Sequence, residues 1–249
     1  MKSSPNPYLK RIASLVGVKD PRYVLQVFVD AHRTAGDPLD VLARKLGVSR
    51  IVEHRLPFEG GLFQLPDGEL VIKLNSESSF VRRRFTLAHE IGHLLLKTVP
   101  AFRSTRRTDE ALERTCDLIA AELLMPTAEA SEFVRGLGSP SPDKLRNIAW
   151  KYAVSIQTAA LRVHHDFRLW QCSIGLWDVS SRIKTLWFTG RRKWDDVQPD
   201  LASLELALGS SSSVQTEDSW RRGEFTERVW LNLLGIGNSR VLGLVDYVN

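Results

Sequence analysis

The sequence predicts an α+β protein: a helical first part carrying a small antiparallel sheet, then a helical pair, then a small tryptophan-rich α+β unit. Three observations predict it. Strand-like stretches at Ile51 to Leu56 and Gly61 to Leu74 precede two long helical patterns at 78–97 and 108–125. All seven tryptophans (150, 170, 177, 187, 194, 220 and 230) lie beyond residue 149, a shift in composition that sets a second unit apart from the first. The segment GLGSPSP, 136–142, breaks any helix running through Glu132 to Arg135. The expected domains are therefore 1–136, 137–166 and 167–249.

Each element follows from local chemistry. Asp20 before Pro21 reads as a helix cap with proline at the first helical position, and Val24, Leu25, Phe28 and Ala31 form an apolar stripe to about residue 34. A short helix from Pro38 to Leu46 stops at Gly47. The second strand-like stretch folds back at Pro66, Asp67 and Gly68, a turn sequence. The helix at 78–97 ends before Pro100. The next opens at Thr108 with Asp109 and Glu110, acids that suit a helix N-terminus, and ends at Pro126. Helices are expected at Asp143 to Tyr152 and Ser155 to about His165. Beyond them come a hairpin from Trp170 to Phe188, a helix near Asp200 to Leu208, and strands at Arg228 to Leu234 and Val241 to Val245.

Composition excludes several classes. With 249 residues, 43% apolar and 25% charged, the chain can bury a core and is neither disordered nor fibrous. Two cysteines, Cys116 and Cys172, rule out a disulfide scaffold and a four-cysteine zinc site. Prolines 5 and 7 with Lys10 and Arg11 interrupt any signal-like stretch, and no window offers 18 uninterrupted apolar residues. A cytoplasmic protein with no membrane partner is expected.

The chemistry lies in TLAHEIGHLL, 86–95. His89 and His93 are four apart on a helix, so both imidazoles project from one face and can bind one Zn²⁺. Glu90, one step round, can reach a water at the metal's open position and act as general base. Apart from these three, every residue from Thr86 to Leu95 is uncharged, as a buried helix requires. A third ligand is needed, and the next helix offers Glu110, Glu113 and Asp117 as a stripe. Glu113 and Asp117 suit a pair in which one carboxylate ligates zinc while the other accepts the outer N–H of a ligand histidine.

RRRFTLAHEIGHLLL (82–96) followed by LERTCDLIAAELLMP (112–126) resembles the ImmA/IrrE family of HExxH metallopeptidases, as do LDVLARKLGV (39–48) and GGLFQLPDGELVIKLN (60–75). The resemblance spans about residues 20 to 165. It implies a zincin-like domain, the small sheet packed on the HExxH and ligand helices. It implies one zinc ion held by His89, His93 and Glu113, with Glu90 as general base and Asp117 as partner to a ligand histidine. It also implies a cytoplasmic endopeptidase that cleaves a helix-turn-helix repressor or cognate partner and thereby regulates transcription.

Other features compete. Ala149, Ala153, Val154, Ser155 and Arg162 echo a helix-turn-helix pattern with alanine in place of glycine, making Arg162 a candidate nucleic-acid contact. On that alternative the chain is a DNA-binding regulator with a regulatory or vestigial metal site; another makes it a toxin–antitoxin or phage-defence component. His164 and His165, adjacent on a helix, diverge too far to share a metal. Cys116 reads as a small core residue, Cys172 as an inward strand residue, and the tryptophans as a compact core. The net charge of +5 conceals alternating blocks: +6 over 78–107, −5 over 108–136, +7 over 137–193 and −5 over 194–249. The first two favour pairing of the two motif helices, and the third places any DNA contact within 143–193.

Overall fold

The computed structural model describes residues 7–17, 19, 24–32, 38–100, 110–189, 198–222 and 225–247. The chain divides into two compact units, Met1–Ala130 with Tyr152–Ser155, and Ser131–Lys151 with Ile156–Asn249. Among the described residues no helix is long and apolar enough to cross a membrane.

The first unit opens with helices α1 (Pro7–Val16), α2 (Val24–Asp30) and α3 (Leu39–Lys45). Helix α1 goes beyond the sequence-based expectation, yet its Tyr8 and Ile12 are buried four residues apart, as helical spacing requires. Asp20, Pro21 and residues 33–34 of the expected capped helix lie outside the described residues; α2 buries Val24, Leu25, Phe28 and Val29. Gly47, at φ +92°, turns α3 into the sheet.

That sheet comprises β1 (Val48–His54), β2 (Gly60–Gln64) and β3 (Leu70–Asn75), in the order β1-β3-β2. The turn at Gly68 (φ +90°) makes β2 and β3 antiparallel, with Leu62 opposite Ile72. Strand β1, however, runs parallel to β3, so the sheet is mixed rather than antiparallel as expected. The turn sequence dictates the direction of one pair only. β1 joins the far side of β3 by crossing over, a choice that alternation of side chains does not encode. Gly60 fits β2 against the next helix: a Cβ there would stand 2.5 Å from the Lys73 carbonyl oxygen and 2.8 Å from the Thr86 methyl.

Two long helices follow, α4 (Phe80–Thr98) and α5 (Glu110–Leu124); Thr108 and Asp109, the expected opening of α5, lie outside the described residues. The buried faces of Ala88, Ile91, Leu95 and Leu96 on α4 and of Leu112, Cys116, Ile119, Ala120 and Leu123 on α5 belong to the core. After Pro126, α6 (Thr127–Gly136) begins under a buried carboxylate. Glu122 accepts from the Thr127 N–H at 2.8 Å and from its hydroxyl at 2.6 Å, capping the positive end of α6.

Helix α7 (Pro142–Tyr152) is followed by a turn at Ala153, whose φ of +48° places an alanine in the left-handed region. Arg84 of α4 holds this turn: its Nη1 donates to the carbonyls of Tyr152 at 3.0 Å and Ala153 at 2.9 Å. These residues belong to the first unit. In the second unit, α8 (Ile156–Leu161) runs into a π-helical turn over Arg162–Asp166.

The second unit also contains β4 (Ser173–Asp178), β5 (Lys184–Phe188), α9 (Leu201–Leu208), β6 (Val214–Arg222), β7 (Phe225–Gly235) and β8 (Arg240–Tyr247). The strands form one antiparallel sheet in the order β5-β4-β8-β7-β6. Strand β6 escapes the sequence reading because VQTEDSWRR is an edge strand with little apolar alternation. Trp177 is fully buried beside Trp220, over Gly175 and Gly243, where any Cβ would strike its ring. The expected all-core role of the tryptophans holds for these two and Trp170, but Trp150 is 85% exposed and Trp230 53%.

Candidate metal centre

Helical pitch and one close helix contact build the site. His89 and His93 are one turn apart on α4, with ring centroids 4.9 Å apart. Gly92, between them, faces α5: a Cβ there would lie 3.2 Å from both the Cα and the carbonyl oxygen of Cys116. The absent side chain lets α5 approach closely enough for Glu113 and Asp117, one turn apart, to reach the histidines.

The resulting distances are short. His89 Nε2 is 3.1 Å from Glu113 Oε2 and 3.2 Å from His93 Nε2, and His93 Nε2 is 3.4 Å from Glu113 Oε1. On its other side, His89 Nδ1 donates to Asp117 Oδ1 at 2.8 Å. An ionised carboxylate only accepts, so this bond puts the proton of neutral His89 on Nδ1 and turns the Nε2 lone pair toward Glu113. Lone pairs thus converge where only a cation or a proton can lie between them. The set also fits zinc: tetrahedral bonds of about 2.0–2.1 Å leave ligand atoms about 3.3–3.4 Å apart, close to the separations observed.

Electrostatics act in the same direction. Burial works against protonating His89, but the hydrogen bond and charge of Asp117, then the charges of Glu90 and Glu113, outweigh it and raise its pKa. Glu90 is buried, and its Oε2 accepts from the Leu62 N–H of β2 at 3.0 Å. The hydrogen bonds closing each end of the β2–β3 pair, Asn75 to Glu59 and Leu65 to Glu69, show that odd-numbered residues of β2 face β3. Leu62 therefore turns its N–H to the outer edge of the sheet, toward Glu90.

His89, Glu90, His93, Glu113 and Asp117 are thus all brought together. Glu110 is not: 82% exposed, it pairs with Arg114 along its own helix. Arg162 calls for a correction. Its side chain is 4% exposed, its guanidinium pairs with Asp166 at 2.8 Å and lies 4.7 Å from the Phe167 ring, so it is an internal residue and offers no charge to a phosphate backbone. The helical pattern gave its spacing but not the direction it faces. The sequence reading also missed the Leu62 N–H, the spacing role of Gly92 and a contact between Cys116 and His93; the glycine inside the histidine motif was the available signal for the second.

Paired histidines on one helix and a carboxylate from the next form a group able to hold a metal ion, and the family to which the chain belongs is one of metallopeptidases. The chain belongs to the IrrE N-terminal-like domain family, a metallopeptidase family whose model matches residues 38–164. It is 34% identical over 96 residues to the radiation response metalloprotease IrrE of Deinococcus radiodurans, covering 36% of this chain and 29% of that protein. The chain thus matches less than a third of that relative's length. Among solved structures it resembles a Mycobacterium tuberculosis transcriptional regulator, with a TM-score of 0.49 and 13% identity, over 98% of this chain and 87% of that one.

Proposed function

We propose that the chain is a zinc-dependent endopeptidase with a zincin-like first unit, in which His89, His93 and Glu113 hold the metal, Glu90 is the general base and Asp117 orients His89. The convergence of three side chains, two from α4 and one from α5, with pairwise contacts of 3.1–3.4 Å carries this reading. Zinc in such a set supplies Lewis-acid chemistry, lowering the pKa of water and polarising a carbonyl. Glu90, anchored by the Leu62 N–H, takes the proton of the attacking water and returns it to the departing amine. Asp117 fixes the His89 tautomer, so that Nε2 keeps its lone pair.

The substrate we infer is a cytoplasmic protein, a helix-turn-helix repressor or a cognate partner, whose cleavage regulates transcription. Family membership and the stress-response name of the Deinococcus relative support that choice. The test combines metal analysis with Glu90→Gln. The wild type should hold one zinc per chain and cleave the product of the neighbouring reading frame on co-expression. Glu90→Gln should keep the metal and lose cleavage by about 100-fold or more. A wild type free of metal after zinc reconstitution, or a variant that still cleaves, overturns the assignment.

A further inference from the structure

The two histidines of the centre have different partners behind them. His89 donates its outer N–H to Asp117, whereas His93 Nδ1 lies 3.3 Å from Cys116 Sγ, within reach of a sulfur hydrogen bond. Both His93 and Cys116 are buried, at 5% and 0% exposure, while Asp117 stands at the rim with its side chain 54% exposed. We infer that Cys116 is a positioning residue for the proposed metal centre, its sulfur accepting the Nδ1–H of His93 and so turning the Nε2 lone pair toward Glu113 and His89.

The argument rests on what this position of α5 can accept. Nε2 of His93 faces Glu113 Oε1 at 3.4 Å and His89 Nε2 at 3.2 Å, so a neutral ring serving as a ligand must carry its proton on Nδ1. A buried N–H needs an acceptor. Cys116 sits where α4 and α5 come closest, its Cα 3.2 Å from where a Cβ on Gly92 would stand, and it is fully buried. Asp or Asn would bring a larger polar head into a fully buried position, and alanine would bring no acceptor. Cysteine supplies a weak acceptor of the right size that packs as an apolar residue. The centre is therefore asymmetric: a charged, exposed partner raises the basicity of His89, and a soft, dry one holds His93.

This inference rests on the zinc reading of the centre, and its test is chosen to separate the two. Zinc dissociation constants would be measured by competition with a chromophoric chelator for the wild type, Cys116→Ala, Cys116→Val and Cys116→Ser, each with a metal-free thermal melt. Removing the acceptor should weaken zinc binding about tenfold in the Ala and Val variants, the lower end of the effect of losing a ligand's outer partner. Cys116→Ser, which keeps an acceptor, should stay within about threefold of wild type. Ala or Val variants that fold and bind zinc like the wild type, or a Ser variant as weak as Ala, overturn the role of Cys116 and leave the peptidase reading standing. A wild type that takes up no zinc overturns the peptidase reading itself. If the variants fail to fold, nitrogen-15 NMR of the zinc-loaded wild type decides: His93 should show a protonated Nδ1, and an unprotonated Nδ1 refutes the inference.

Discussion

Replacing Gly92 by alanine should separate the stability of α4 from the function of the centre. In an exposed helix the change stabilises by about 1 kcal/mol, because glycine is the poorer helix former. Here the new Cβ would meet the Cα and carbonyl oxygen of Cys116 at 3.2 Å, about 0.2 Å inside ordinary contact, and neither backbone atom can rotate away. Overpacking of this kind costs about 1–3 kcal/mol, so the metal-free fold should change by between roughly zero and 2 kcal/mol of destabilisation. The site should respond more sharply. Pushing α5 back by a few tenths of an ångström moves Glu113, and metal centres tolerate only about 0.2 Å in ligand distance. Zinc affinity should fall about tenfold, equivalent to about 1.4 kcal/mol. The paired assay is a thermal melt of the metal-free protein and a chelator competition for zinc. If affinity stays within twofold of wild type, the close approach at Gly92 does not set the ligand geometry.

Asp117→Ala should lower zinc affinity 10- to 100-fold by freeing the His89 tautomer, while Asp117→Asn, able to accept through its amide oxygen, should lower it less; equal losses would argue against orientation by hydrogen bonding. For the metal-free protein, His89 is raised in the folded state, so its contribution to stability is fully present below the unfolded value of about 6.5 and is lost as pH rises through the folded pKa. The stability difference between wild type and His89→Gln should shrink over that window, a trend that urea titrations at several pH values would record. Zinc affinity should run the opposite way, falling with acidification as protons compete for the ligand. Ala153→Gly should stabilise the chain by about 1 kcal/mol by relieving the left-handed alanine, and calorimetry showing destabilisation would mean that the methyl's packing outweighs its strain.

What could be read from the sequence divides along physical lines. The pitch of a helix is fixed by its backbone, so four-residue spacing alone placed His89 and His93 on one face and Glu113 one turn from Asp117. Contacts between elements depend on register and approach, which no single helix carries: Cys116 read as a core residue, and only packing against α4 brings it to His93. Arg162 shows the converse, since its position in a helical pattern said nothing of Asp166 and Phe167 enclosing its charge. In the sheets, the turn at Gly68 was legible because it needs a particular backbone conformation. The direction of β1 and the existence of β6 were not, because neighbouring strands, rather than local alternation, decide them.

The bonds from Arg84 to the carbonyls of Tyr152 and Ala153 bear on how this chain can be divided and recombined. The first unit is not a continuous stretch of sequence: the chain leaves it after Ala130 and returns for the four residues Tyr152–Ser155 before leaving again. A gene cut at codon 130 would strand the Arg84 guanidinium, whose pKa burial already lowers, without those acceptors. A transplantable first unit must therefore extend at least through Ser155 and carry α7 with it. The segment between the two visits is inherited with the first unit, and the family match itself runs on to residue 164.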